Sequence, residues 1–158
     1  MDLQSISDTL LRRIKKLFTA LAGRLFIGRV FGSKRLFLGF IGEYRALKFL
    51  RGKGLKIIAW RDKTGGAEID IIALHRRTLV AVEVKTLKRT PNEIRSRLKD
   101  PQLHRIKSSL KKFIDSHNYF PETIRIDMVV VVLPTLFSRG EISWLQNLTL
   151  RESNQTTW

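Results

Sequence analysis

The chain predicts an α/β domain, a mixed central sheet with helices on both sides, and three observations carry that expectation. Residues 67–85, AEIDIIALHRRTLVAVEVK, alternate apolar and polar in both halves, as the two arms of a β-hairpin do. Residues 128–133, MVVVVL, contain no polar side chain, as in a central strand buried on both faces. Helical spacing of apolar residues precedes the hairpin and returns after it. The expected order is helix, three strands, helix, strand.

Residues 1–37 read as a basic N-terminal extension. Through residue 40 there are eight Lys or Arg against two Asp. Leu10, Ile14, Leu17, Leu21 and Leu25 recur three or four apart, with Arg12, Arg13, Lys15 and Lys16 largely off that stripe, which makes a basic amphipathic helix over residues 10–26. Arg24 and Arg29 interrupt its apolar part, no run is long enough to span a bilayer, and no cleavage site follows, so a cytoplasmic protein is expected. Three roles are open for this helix: packing on the domain or a second subunit, lying on an anionic membrane surface, or following a nucleic-acid backbone. Residues 32–34 serve as a hinge.

The compact domain covers residues 38–150, with a loose tail at 151–158. Residues 40–51 are helical, with Leu47 and Leu50 on one face and Gly52 or Gly54 ending the helix. Glu43 lies four residues before Leu47 and seven before Leu50, on that inward side, where a carboxylate needs a partner. The alternative is a Glu near the helix start serving the macrodipole. Residues 55–61 form the first strand, joined through Gly65 and Gly66 to the hairpin. The Lys- and Arg-rich residues 86–99 form a mobile loop or short helix. Asp100 and Pro101 give a helix start, N-cap followed by proline. Leu103, Ile106, Leu110 and Phe113 make its buried stripe, leaving Arg105, Lys107, Lys111 and Lys112 for solvent or phosphate; His104 is a surface residue. Residues 123–133 are a strand with Asp127 at its start, read as structural, and residues 140–148 a last strand or short helix.

The hairpin carries the chemistry. With the turn centred on Arg76 and Arg77, antiparallel pairing sets Asp70 opposite Glu83 and Glu68 opposite Lys85. In that alternation Ile69, Ile71 and Ala73 share one face, and Glu68 and Asp70 the other. Two carboxylates in register repel unless something holds them. A hard divalent cation does so, since Mg²⁺ takes carboxylate oxygens and keeps several waters. Lys85, two residues from Glu83 on the same face, would orient or activate such a water. The simpler alternative is a salt-bridged hairpin in which Lys85 neutralises Glu68 and Glu83.

Composition restricts the partners. The 158 residues carry 30 Lys and Arg against 14 Asp and Glu, a formal charge of +16, which favours nucleic acid or an anionic membrane. With no Cys and three His, a thiolate site or the usual zinc site is disfavoured, which leaves carboxylates and Mg²⁺ or Mn²⁺.

Asp70, followed after twelve residues by Glu83-Val84-Lys85, resembles the PD-(D/E)XK nucleases of restriction-endonuclease-like fold. More closely, the blocks GEYRALKFLRGKG, AEIDIIA, LVAVEVKT and RIDMVVV are similar to the YraN-type family of predicted endonucleases related to Holliday junction resolvases. The resemblance covers residues 38–148. Ala67 stands where that family usually has Gly, and Pro101 where a Lys commonly precedes Gln102, which bears on loop geometry and substrate contacts. The resemblance implies metal-dependent hydrolysis of DNA phosphodiesters, on structured or branched DNA. Glu43, Asp70 and Glu83 would hold Mg²⁺ or Mn²⁺, with Lys85 and Gln102 completing the catalytic set. Lys88, Arg89, Arg95, Arg97 and Arg105 would contact the nucleic-acid backbone. Junction-resolving relatives act as dimers, so a homodimer is part of the same expectation. A non-catalytic nucleic-acid-binding protein that keeps the fold, or a peripheral membrane protein using its N-terminal helix, are the competing readings.

Overall fold

A computed structural model describes residues 34–90, 100–135 and 138–148, together with residues 12 and 16. Among the described residues from Lys34 on, two helices and five strands follow in the order α1 (Lys34–Gly52), β1 (Lys56–Asp62), β2 (Ile69–His75), β3 (Thr78–Leu87), α2 (Asp100–Ser116), β4 (Thr123–Val132) and β5 (Glu141–Leu145). The strands form one mixed sheet in that spatial order. The β3–β4 pair is parallel and the other three pairs are antiparallel. A parallel pair needs a crossover, and α2 supplies it.

The helices cover opposite faces. Phe40, Leu47 and Leu50 of α1 pack with Ile57, Ile71, Val80, Val82, Val129 and Val131. Leu103, Ile106, Leu110 and Phe113 of α2, the predicted stripe, pack with Ile58, Ile72, Leu79, Ala81, Met128 and Val130. Adjacent residues of β3 and β4 therefore divide between the two cores, and so the run 128–133 carries no polar residue. Each large aliphatic side chain buried in this way contributes roughly 1.5–3 kcal/mol.

The structure revises three expectations and decides a fourth. Helix α1 starts at Lys34, so residue 34 belongs to a helix rather than a hinge. Ile69 packs on the α2 side, whereas Ile71 and Ala73 pack on the α1 side, because the alternation of β2 breaks at Asp70. Strand β3 runs on to Leu87, so Thr86 and Leu87 are sheet residues and not loop. Of the two options for residues 140–148, the strand is the one adopted. The amphipathic helix at residues 10–26 lies outside the described residues, except for Arg12 and Lys16, which are helical and exposed. The tail at 151–158 also lies outside them. No described helix is long and apolar enough to cross a membrane.

Gly42 sets how closely α1 approaches β3. A Cβ there would run into the side chain of Thr86, whose Cβ would stand at 2.9 Å. Gly42→Ala is expected to lose about 1–2 kcal/mol in chemical denaturation, because the clash outweighs the roughly 1 kcal/mol that Ala gains over Gly in a helix. A stabilised variant would show that the contact relaxes at no cost.

Candidate functional site

The site forms where the sheet divides. The β2–β3 ladder runs from His75↔Thr78 up to Ile71↔Val82 and stops, while β3 stays paired with β4 through Leu87↔Val132. This register is the one expected from a turn at Arg76 and Arg77, where Arg76 takes a φ of 57°. Asp70 would come opposite Glu83 next, but there β2 leaves β3 and remains with β1 through Asp62↔Ile69. In place of a ladder bond, the Val84 N–H donates to Asp70 Oδ2 at 2.7 Å. The aspartate thus satisfies the edge of β3 that β2 vacates.

Four elements bring side chains to this fork. Glu83, buried on β3, accepts through Oε1 from Lys85 Nζ at 2.7 Å and from Gln102 Nε2 at 2.7 Å. Gln102 comes from the first turns of α2, so the crossover helix reaches back over the strand it follows. Glu43 comes from the opposite layer. Because α1 begins at Lys34, Glu43 lies about two and a half turns inside the helix and cannot serve the N-terminal dipole. Its Oε2 accepts from Trp60 Nε1 at 2.7 Å, and the Arg61 guanidinium stands 3.8 Å away.

The lysine pairing differs from the simple salt-bridged hairpin. Lys85 pairs with Glu83, whereas Glu68 pairs with Arg61 at 2.8 Å and Lys63 at 2.9 Å. Since the ladder ends before Asp70, Glu68 never comes into register with Lys85. Trp60, Arg61 and Lys63 were not anticipated from sequence. Trp60 and Arg61 lie inside β1, where local pattern does not single them out, and Arg61 turns toward Glu43 and Glu68 through a left-handed φ of 54°.

Electrostatics couple the acids. Burial raises the Asp70 carboxyl, and the charges of Glu83 and Glu43 raise it further, against the Val84 hydrogen bond and Lys85, to about 7. Burial also raises Glu43, although Trp60 and Arg61 pull it back, and Glu68 and Glu83 add to the rise. Excess negative potential is therefore concentrated at the fork.

The donor set bears on a cation. Among the described residues, no three His, Cys, Asp or Glu side chains stand together closely enough to hold a metal ion. The Glu43 carboxylate is engaged by Trp60 and Arg61. Asp70 and Glu83 each keep one oxygen, Oδ1 and Oε2, without a hydrogen bond from the described residues. Two hard oxygen donors, in a site that resists a second negative charge, fit Mg²⁺ or Mn²⁺, which binds through one or two carboxylates plus water and phosphate.

Lys88 and Arg89 are exposed just past the end of β3 and line a cavity of about 740 Å³ with Val132, Gly140 and Glu141. Arg105 is exposed on α2, three residues after Gln102, while Arg95 and Arg97 lie outside the described residues. Asp127 takes no part in the fork. It is fully buried and accepts from Arg125, Trp144 and the Asn147 N–H, a structural role.

Comparison with known proteins places these features in one family. A UPF0102 protein of Rhodopirellula baltica is 37% identical over 100 residues, 61% of this chain and 60% of that protein. One from Renibacterium salmoninarum is 33% identical over 117 residues, covering 70% of this chain and 92% of its own length. Another, from Paenarthrobacter aurescens, is 39% identical over 101 residues, 60% of this chain and 79% of its own. The family model described as "Uncharacterised protein family UPF0102" matches residues 42–131, from the glycine that packs on Thr86 to the core of β4, and this chain belongs to that YraN-type family.

Proposed function

We propose that this protein is a metal-dependent endonuclease that hydrolyses phosphodiester bonds in DNA. The observation that carries the reading is the forked strand pair with Asp70 and Glu83 at its mouth and Lys85 beside them. A salt-bridged hairpin would leave both carboxylates neutralised; here Asp70 faces two acids, and among the described residues its only direct donor is a backbone N–H.

Each group then has a role. Asp70 and Glu83 would hold the cation, which when bound supplies Lewis acidity and offsets charge that develops on the phosphate. Val84 N–H and Gln102 fix the two carboxylates by one oxygen each, leaving the other toward the cation. The Lys85 ammonium, 2.7 Å from Glu83 Oε1, stands where it can stabilise negative charge on the phosphoryl oxygens. Glu43, oriented by Trp60, adds a third acid at the edge of the site. Lys88, Arg89 and Arg105 offer salt-sensitive backbone contacts.

The test is cleavage of labelled duplex, single-stranded, flap and four-way-junction DNA with Mg²⁺, Mn²⁺ or EDTA. Wild type is expected to cut only with metal, and Lys85→Ala to slow cutting by roughly 10²–10³-fold, the usual loss of one transition-state charge partner. Tight binding with no cutting under any metal would replace this reading with that of a non-catalytic nucleic-acid-binding protein. The absence of three convergent acids among the described residues is the observation on that side.

A further inference from the structure

A second cavity, of about 800 Å³, opens where the β2–β3 turn, the end of α2 and the approach to β4 meet. Glu83 is five residues along β3 from Thr78, so the two sites lie about 17 Å apart along the strand. Ile58 and Leu74 line this cavity together with Phe113, His117, Tyr119 and Phe120; Phe113 is buried and covered by the His117 ring stacked on it at 4.2 Å, so Tyr119 and Phe120 present the open aromatic wall. The Phe113 and Tyr119 ring centroids are 6.5 Å apart, and Phe120 is 91% exposed. Its volume falls in the range of small-molecule sites.

The polar groups around it are unevenly satisfied. Arg77 is neutralised by Glu122 at 2.6 Å, and Asp62 is held by Thr64 at 3.0 Å. Arg76 is exposed and has no ion pair among the described residues. The Tyr119 hydroxyl is shut off from solvent and has no hydrogen-bond partner among the described residues, so it lies behind the wall and does not reach the cavity. The cavity therefore offers exposed aromatic surface and, among the described residues, one cation without an ion pair, which is the complement of a planar ring that carries an anion.

We infer that this cavity takes a nucleotide, its base against Tyr119 and Phe120 and its phosphate toward Arg76. The nucleotide is either an unpaired residue of a DNA strand or a free mononucleotide. Every base has a π-face, so such a wall accepts any sequence, and the +16 charge of the chain draws the strand in. The strand-borne form rests on the nucleic-acid reading above and narrows its substrate to DNA with an unpaired segment. The cavity itself does not involve the carboxylates.

The experiment uses the full chain in EDTA, where no cutting intervenes. An oligo(dT) carrying one 2-aminopurine, the same oligonucleotide in a duplex, and 5′-AMP as competitor are titrated against wild type, Phe120→Ala and Asp70→Asn. Wild type is expected to quench the 2-aminopurine through stacking. Phe120→Ala is expected to weaken single-strand binding about tenfold and relieve the quenching, with duplex affinity kept within about twofold. Phe120 is exposed, so its removal leaves the fold intact, which circular dichroism checks. Competition by 5′-AMP that also depends on Phe120 assigns the free mononucleotide; dependence in the oligonucleotide alone assigns the strand. Unchanged affinity and quenching in Phe120→Ala, or no binding of either probe by wild type, overturns the inference. Asp70→Asn keeps the Phe120-dependent binding whether or not the protein cuts, so the two readings fail separately.

Discussion

Asp70→Asn is expected to stabilise the metal-free protein above pH 7 and, on the nuclease reading proposed above, to reduce metal-dependent cleavage to background. Burial first, and then the charges of Glu83 and Glu43, raise the Asp70 carboxyl from 3.8 to about 7. Between those values the folded chain holds a proton that the unfolded chain has released. The unfolded state thus binds fewer protons, and stability falls as pH rises from about 4 to 7, then levels off. The cost of the ionised form above pH 7 is about 4 kcal/mol. Asn removes that cost, because its Oδ1 still accepts from Val84 N–H and its amide donates toward Glu83 instead of repelling it. Wild type and Asp70→Asn should therefore have similar stability at pH 4 and diverge by pH 8, in denaturation curves taken in EDTA. On the nuclease reading, millimolar Mg²⁺ or Mn²⁺ should raise the Tm of wild type at pH 8 and leave the variant unchanged. Parallel pH profiles for the two proteins would show that the fork is not under electrostatic strain.

Asp127→Ala is expected to cost about 3–5 kcal/mol and lower Tm by about 10 °C. Asp127 is fully buried and accepts from Arg125 Nε at 2.8 Å, Arg125 Nη2 at 3.0 Å, Trp144 Nε1 at 3.0 Å and Asn147 N at 2.9 Å. Ala leaves a largely buried guanidinium and two further donors without an acceptor, and breaking a buried pair in this way costs more than the pair contributes. Trp144 and Asn147 come from β5 and the residues just after it, so β5 should loosen first. Hydrogen exchange would show protection lost in residues 141–147 ahead of the rest of the sheet. A change below about 1 kcal/mol would mean that water satisfies these donors.

Much of this architecture follows from local pattern. The stripe Leu103, Ile106, Leu110 and Phe113 fixes the buried face of α2, and the apolar run at 128–133 fixes β4 as an interior strand. The hairpin register follows from the two-residue turn at Arg76 and Arg77, because a slip of one residue would exchange the side chains that pack toward α1 with those that pack toward α2. Asp70, Glu83 and Lys85 are legible for the same reason. Other features do not leave a local mark. Helix α1 runs from Lys34, earlier than the local pattern marks, and the reading of Glu43 as a helix-start residue fails once that is known. The end of the β2–β3 ladder at Ile71↔Val82 depends on β1 drawing β2 aside, and no periodicity in β2 announces it.

The sequence thus specifies the layers, the register and the acids, because hydrophobic periodicity and charge in a hairpin are properties of neighbours along the chain. Folding in three dimensions specifies which oxygen each acid leaves open. Trp60 and Arg61 take Glu43, Gln102 takes one oxygen of Glu83, and Arg61 and Lys63 take Glu68 away from Lys85. Those assignments join residues from α1, β1, β3, α2 and the loop before β2. A hydrogen bond depends on a few tenths of an ångström between such elements, and that distance is set by how the layers pack.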